Sequence, residues 1–136
     1  MVTPEQIRDT MPFAALIGAE LIETTPELVR SRMEWAPERC TAGGLLHGGA
    51  LMALADGSGG VCAFLNLPDG ATGTATIESK TNFMRGVREG AVVGTTRPLH
   101  RGRTTIVIET EIAREADGAL VAKVTQTQAF HYPRPE

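Results

Sequence analysis

The residues best suited to chemistry lie in one stretch near the middle of the chain. His47 is followed by two glycines, Gly48 and Gly49, and a helix-like apolar run begins there. Glycines that open a helix let a ligand approach the backbone, and the free N–H groups of the first turn can hold a developing oxyanion. The alternative is that the glycines end a loop and that His47 makes only a local hydrogen bond.

Asp56 lies nine residues after His47 and is the one charged residue of this run. It is followed by Gly57-Ser58-Gly59-Gly60, and three glycines inside a helix cost about 3 kcal/mol relative to alanine. A lone carboxylate among apolar residues needs a partner or a function, such as catalysis by a nucleophile or a general base. Two other interpretations stay open: the glycine-rich segment is a loop that breaks the helix, or Asp56 lies on a solvated face.

A second feature is a concentration of basic residues between positions 80 and 103. The basic residues are Lys80, Arg85, Arg88, Arg97, Arg101 and Arg103, and the one acidic residue is Glu89. Arginine presents forked donors to phosphate oxygens, so this cluster suits a small phosphate-bearing ligand. A solvated basic rim without a ligand is the other interpretation. The narrow extent of the cluster and the formal net charge of −3 argue against nucleic-acid binding.

Composition predicts a single globular domain over the 136 residues, with 42% hydrophobic and 21% charged residues. Two cysteines and three histidines predict neither a disulfide framework nor a metal site. The N-terminal residues lack the pattern of a secretory signal, so we expect a cytoplasmic protein. No membrane span is expected either, because residues 48–65 contain five glycines and a carboxylate that would cost about 3 kcal/mol in a bilayer.

The elements that must position these residues are one long helix and about six strands. Apolar spacing predicts the long helix over 47–65 and a short amphipathic helix within 1–17, over residues 3–17. Strand-like runs cover 18–25, 28–35, 72–84, 91–100, 103–113 and 119–130. Short glycine-containing turns between consecutive strands imply antiparallel pairing. The predicted class is α+β, a sheet that covers the helix, followed by a tail over 131–136.

Alternation within two of these runs predicts which side chains share a face. In 103–113 one face carries Ile106, Ile108, Thr110 and Ile112. In 72–84 one face carries Ala75, Ile77, Ser79, Thr81 and Phe83.

The segment Leu46–Asp56, with the sequence LHGGALMALAD, resembles the H-G-G-(x)6-D/E signature of hotdog-fold acyl-CoA thioesterases. The group concerned is the PaaI-like (phenylacetate-pathway) and 4-hydroxybenzoyl-CoA thioesterase group. Residues 82–85 and 100–104 match places where this family handles the CoA end, and the resemblance covers residues from about 12 to 132. It implies a curved antiparallel sheet wrapped around the long helix, and two protomers whose sheets run together.

The resemblance also implies roles for single residues at a site between two protomers. The Gly48 amide of one protomer would polarise a thioester carbonyl, and Asp56 of the other would act on the carbonyl carbon or on water. His47 would support the entrance of the helix, and Thr76 would position the water. The residues implied in binding the substrate and its CoA end are Gly49, Thr41, Asn82, Phe83, Arg85, Arg101, Gly102 and Arg103. Thr41 departs from the family pattern, which often has Asn or Gln six residues before the histidine.

The predicted activity is hydrolysis of an acyl-CoA thioester to a free acid and the CoA thiol. Coenzyme A enters as part of the substrate, and no other cofactor is expected. A homodimer is the expected minimal unit and a homotetramer the preferred assembly, by family analogy. Two alternatives remain: a hotdog protein that binds acyl-CoA without turning it over, and a hotdog hydratase or dehydratase.

Overall fold

A six-stranded antiparallel sheet packs along one long helix in the computed structural model, which describes residues 3–136. The helices are α1 (Pro4–Asp9), α2 (Pro12–Leu16) and α3 (Gly48–Leu65), with 3₁₀ turns at Pro37–Arg39 and Ala42–Gly44. The strands are β1 (Ala19–Thr24), β2 (Val29–Glu34), β3 (Gly73–Phe83), β4 (Ala91–Arg101), β5 (Thr105–Arg114) and β6 (Leu120–His131). Their order in the sheet is β1-β2-β4-β5-β6-β3, so β1 and β3 are the edges. This is the α+β architecture that the sequence predicted.

The long helix α3 is continuous from Gly48 to Leu65, so the interpretation of the glycine-rich segment as a helix-breaking loop is wrong. Its buried face includes Leu51, Leu54 and Val61, which pack into the core between helix and sheet. By length and composition α3 would be apolar enough to cross a membrane. It contacts all six strands instead, as the central helix of a globular domain does.

The N-terminal region forms two short helices, and the prediction of one helix over residues 3–17 is wrong. Thr3 caps α1 in a reciprocal arrangement with Gln6, in which each side chain accepts from the other residue's backbone N–H. Pro12 lacks the N–H that would continue the helix, and its ring excludes a helical conformation of the preceding residue. The chain therefore restarts as α2 at Pro12.

The prediction of which side chains share one face is confirmed for β5 and is half wrong for β3. In β5, Ile106, Ile108 and Ile112 are fully buried. In β3 the register against β6 shifts between Thr76 and Glu78. This bulge reverses the alternation, because one extra residue is inserted into one strand only. Thr76 therefore pairs with the buried Gln128 and lies on the helix side of the sheet, together with the predicted residues in the second half of β3. Ala75 and Ile77 do not lie on the helix side.

Candidate active site

His47 caps the N-terminus of α3 and organises its first turn. Its Nδ1 accepts from the Gly49 N–H at 2.7 Å, and its carbonyl accepts from Ala50 at 2.9 Å. Its own N–H donates to the Arg39 carbonyl at 2.8 Å, which ties the preceding loop to the helix. Since Nδ1 is an acceptor, the neutral imidazole carries its proton on Nε2. His47 therefore makes a local hydrogen bond and supports the helix entrance at the same time.

The Gly48 N–H is left free by this cap. The first N–H groups of a helix have no partner within it, and those of Gly49 and Ala50 are satisfied by His47. Within residues 3–136 the Gly48 N–H has no acceptor. A Cβ at this position would lie 3.1 Å from Cζ of Phe83, so the aromatic ring at the end of β3 lies close over the glycine. The Gly48 N–H is thus an unpaired donor at the positive end of an 18-residue helix.

Asp56 lies on α3 and is held by β3. The Thr76 hydroxyl donates to Asp56 Oδ1 at 2.7 Å. Asp56 is exposed in the single chain, as the solvated-face interpretation expected, yet this hydrogen bond fixes one of its oxygens. Two of the four residues assigned catalytic roles from the sequence, Asp56 and Thr76, are thus in direct contact.

A buried polar network lies behind this pair. Gln128 Nε2 donates to Thr76 Oγ1 at 2.5 Å and to Gln126 Oε1 at 2.7 Å. Gln126 Nε2 donates to the Ala55 carbonyl of α3 at 3.1 Å. The glutamine side chains, at 0% and 1% exposure, lie between helix and sheet. We name Gln126, Gln128 and Thr76 the glutamine network.

Sequence reasoning did not single out either glutamine. A signal was present, since Gln126 and Gln128 alternate in phase with Val124 and Phe130 on the apolar face of β6. A polar residue at an apolar position of a strand requires a hydrogen-bond partner. The partners, Ala55 and Thr76, come from distant parts of the chain.

A cavity of about 310 Å³ opens beside Asp56, between α3, the N-terminal helices and β1. Its apolar lining includes Met11, Phe13, Ile17, Leu21 and Ala53. Gly57 also lies in its wall, next to the carboxylate. The cavity therefore offers space for an apolar group within reach of Asp56.

The three arginines assigned to the CoA end do not come together in one chain. Arg85 follows β3 and donates to the Leu120 carbonyl at 2.9 Å. Arg101 and Arg103 lie at the β4–β5 turn, at the opposite end of the sheet, and Arg101 donates to the Pro26 carbonyl at 3.2 Å. All three arginines are exposed.

The remaining predicted binding residues lie around these positions. Thr41 is exposed in the loop before α3, where its N–H donates to Leu45. Asn82 pairs with Lys123 on the outer side of the sheet, opposite to Phe83. Gly102 is required by its turn, because a Cβ there would lie 2.8 Å from the Thr105 carbonyl oxygen.

Neither cysteine is placed for catalysis. Burial raises the pKa of the Cys62 thiol to about 11, so this thiol stays protonated at neutral pH. The Cys40 thiol donates to the Ala36 carbonyl at 3.2 Å. Within residues 3–136 no group of three or more His, Cys, Asp or Glu side chains is arranged to hold a metal ion.

Comparison with known proteins identifies relatives that share this fold. The Mycobacterium tuberculosis protein Rv1847 is 30% identical over 103 residues, 74% of each chain, and its structure has a TM-score of 0.86 over 92% of this chain and 100% of its own. A crystal structure of a mutant of thioesterase PA1618 from Pseudomonas aeruginosa is 27% identical, with a TM-score of 0.88 over 94% of this chain and 93% of its own.

A third relative is the 1,4-dihydroxy-2-naphthoyl-CoA hydrolase of Escherichia coli. It is 40% identical over 72 residues, which are 53% of this chain and 52% of the relative. The model of the thioesterase superfamily matches residues 43–121, more than half of the chain, and spans both His47 and Asp56. The chain therefore belongs to the thioesterase superfamily and has its hotdog fold, and thioester hydrolysis is the general activity that this membership supports.

Proposed function

We propose that this protein hydrolyses an acyl-CoA thioester to a free acid and the CoA thiol. The observation that carries the proposal is the Asp56 carboxylate, held at 2.7 Å by Thr76 at the wall of an apolar cavity. Thioester hydrolysis needs a carboxylate that attacks the carbonyl carbon or activates water, and a donor that stabilises the oxyanion. Asp56 supplies the first and the free Gly48 N–H supplies the second. No cofactor enters this scheme.

One chain alone does not bring these two groups to the same carbonyl. Gly48 and Asp56 are eight residues apart on α3, or about 12 Å along the helix axis at about 1.5 Å per residue. Their contacts on β3, Phe83 and Thr76, are roughly 20 Å apart along the strand. The donor and the acid of one chain therefore belong to two different sites.

A second copy of the chain supplies the missing half of each site. β3 is an unpaired edge, and apolar side chains on its side of the molecule are exposed: Met52 at 41%, Phe64 at 48% and Phe83 at 51%. An antiparallel, two-fold pairing of β3 edges, centred midway between Thr76 and Phe83, sets Asp56 of each chain beside the partner's Gly48. The functional unit we propose is this homodimer, with two equivalent sites.

The same pairing explains the split arginines. Antiparallel β3 edges place the end of one β3, with Arg85, beside the start of the other β3. The first residues of β3 and the first residues of β5 both pair with the last residues of β6. The β4–β5 turn with Arg103 therefore lies at the same end of the sheet as the start of β3. Arg85 and the partner's Arg103 then flank one groove, and forked guanidinium donors there suit the phosphates of CoA.

The cavity beside Asp56 takes the acyl group in this scheme. Its volume of about 310 Å³ and its apolar lining suit an aryl group or an alkyl chain of medium length.

The deciding experiment is a thiol-release assay across arylacetyl-, benzoyl- and straight-chain acyl-CoAs, with Asp56→Asn as the matched variant. We expect hydrolysis of at least one substrate and a kcat at least about 100-fold lower in the variant, since an acid–base group is lost. Near-normal turnover by Asp56→Asn would remove the proposed role of Asp56. Binding of a nonhydrolysable acyl-CoA without thiol release from any substrate would identify a binding protein instead.

Single-turnover hydrolysis in ¹⁸O-labelled water separates the two roles open to Asp56. A nucleophilic carboxylate forms a mixed anhydride, and attack of water on its aspartyl carbonyl leaves label in the Asp56 side chain. A general base leaves the label in the released acid alone.

A further inference from the structure

The two glutamines of β6 are buried, and an apolar residue would fill the same space in the core better. Burying an amide is unfavourable unless its hydrogen bonds are made, and apolar replacements of similar size are often tolerated in a core. Here every amide atom that faces the core interior has a partner: Thr74 donates to Gln128 Oε1 at 3.1 Å, and the other bonds run to Gln126, Thr76 and Ala55. A fully satisfied buried polar network holds the groups that it joins rigidly, and this one joins α3, β3 and β6 at Asp56.

The network has one possible direction, because it begins at a group that can only accept. The Ala55 carbonyl can only accept, so Gln126 turns its Nε2 toward Ala55 and its Oε1 toward Gln128. Gln128 must then present its Nε2, whose second hydrogen reaches Thr76 Oγ1. With a lone pair of Thr76 engaged in this way, its hydroxyl hydrogen is directed to Asp56 Oδ1.

The series of hydrogen bonds starts at the Ala55 carbonyl and ends at the carboxylate of Asp56, which is the next residue on α3. Oδ1 of Asp56 is thereby occupied, and Oδ2 has no donor within residues 3–136. One carboxylate oxygen is anchored and the other is left for reaction.

Gly59 supports the same arrangement. A Cβ at Gly59 would overlap the side-chain amide of Gln126, whereas a Cβ at Gly57 or Gly60 meets nothing within 4 Å. Gly59 thus leaves the space in which the Gln126 amide reaches the Ala55 carbonyl.

We infer that Gln126 and Gln128 are positioning residues, which act through Thr76 to fix one oxygen of Asp56 and leave the other free for the thioester. This inference rests on the proposed function, because it assigns the purpose of the network to the reaction of Asp56. It adds two residues from β6 to a site that the sequence placed on α3 and β3.

A double-mutant cycle tests the inference with kcat and KM measured separately. Gln128→Met keeps the approximate volume and removes the amide, and Thr76→Val keeps the shape and removes the hydroxyl. We expect each variant to lower kcat about 10-fold with KM unchanged, because a carboxylate displaced by a fraction of an ångström reacts more slowly. We expect the double variant to be no slower than Thr76→Val, since Gln128 acts through Thr76. Thr76→Ser, which keeps the hydroxyl, should lower kcat less than Thr76→Val does.

Two results would overturn the inference while leaving the thioesterase function intact. One is a wild-type kcat in a folded Gln128→Met protein, and the other is a double variant whose loss is the product of the two single losses. If Gln128→Met does not fold, NMR of the unmodified protein decides: slowly exchanging Gln128 side-chain amide protons in contact with Thr76 support the network, and their absence overturns it. Failure of the unmodified protein to hydrolyse any thioester would contradict the proposed function, and that outcome is distinct from both.

Discussion

The two halves of the candidate site differ in how completely one chain builds them. The acid half, which consists of Asp56 and Thr76, is fixed from behind by buried amides that connect helix and sheet. The donor half, which consists of His47, Gly48 and Phe83, has a hydrogen-bonded cap, an exposed aromatic ring and an N–H that meets no acceptor within residues 3–136. A single chain therefore makes the contacts that fix the acid half, whereas the donor half keeps a donor without a partner in the described residues.

This difference matches what each group does in the proposed hydrolysis. A carboxylate has two oxygens, so one can be anchored while the other reacts. A backbone N–H has a single hydrogen, so any internal partner would remove it from catalysis. The free donor is therefore the form in which a helix N-terminus is ready to bind an oxyanion, and in the proposed dimer the partner chain completes the site.

The largest effect is expected from removing the donor itself. Gly48→Pro deletes the N–H, and proline is tolerated at the first position of a helix. Gly48→Ala keeps the N–H and adds a Cβ near Phe83, so it is the matched control. We expect kcat to fall about 100-fold in the proline variant and much less in the alanine variant. Equal kcat values in the two variants would show that the donor half has no catalytic part.

Mixing two inactive proteins tests whether the halves meet across chains. A dimer of one Asp56→Asn chain and one Gly48→Pro chain has one site with both groups intact. Random pairing after joint refolding should restore about a quarter of wild-type activity, because half of the dimers carry one of two sites. No recovery above the separate variants would place the acid and the donor of each site in the same chain.

A smaller effect, on KM alone, is expected at the two ends of the sheet. The double variant Arg85→Ala/Arg103→Ala loses charged hydrogen bonds. Its KM for acyl-CoA should rise about 10-fold, with kcat unchanged. Arg97→Ala, on the outer side of the sheet, is the control for charge. The KM for an acyl-pantetheine, which lacks the nucleotide, should not change, and a rise there would argue against phosphate binding.

The stability of the acid half can be probed through its glycines. Gly59→Ala forces the Gln126 amide to move and should lower the free energy of unfolding by about 1–3 kcal/mol. Gly57→Ala meets nothing within 4 Å and should raise it by up to about 1 kcal/mol, because alanine is the better helix former. Chemical denaturation of the two variants measures both. A more stable Gly59→Ala protein would show that the Gln126 side chain moves without cost.

The smallest effect is expected at Cys40, which lies next to the donor half. Its thiol bonds to the Ala36 carbonyl, and Cys40→Ser keeps a group of that kind. We expect no change in kcat. A fall in kcat as large as that of Asp56→Asn would indicate that the nucleophile lies in the donor half and not in the acid half.

The sequence predicted the elements well and their exact faces less well. The spacing of apolar residues located α3 to within one residue, and alternation identified the buried isoleucines of β5. The break at Pro12 was readable from the sequence, since proline there cannot continue a helix. The bulge in β3 was not, because the insertion of Ile77 is defined only against the neighbouring strand β6.

The spacing of histidine, glycines and aspartate along one helix was determined by the amino-acid sequence alone, because those positions follow from local helical geometry. Tertiary structure decided that Thr76 faces Asp56 and that Gln126 and Gln128 hold it. These are contacts between segments 20 or more residues apart, formed by a strand register that local pattern does not encode. In the proposed hydrolysis α3 therefore supplies the reactive side chain, and β3 and β6 fix its orientation.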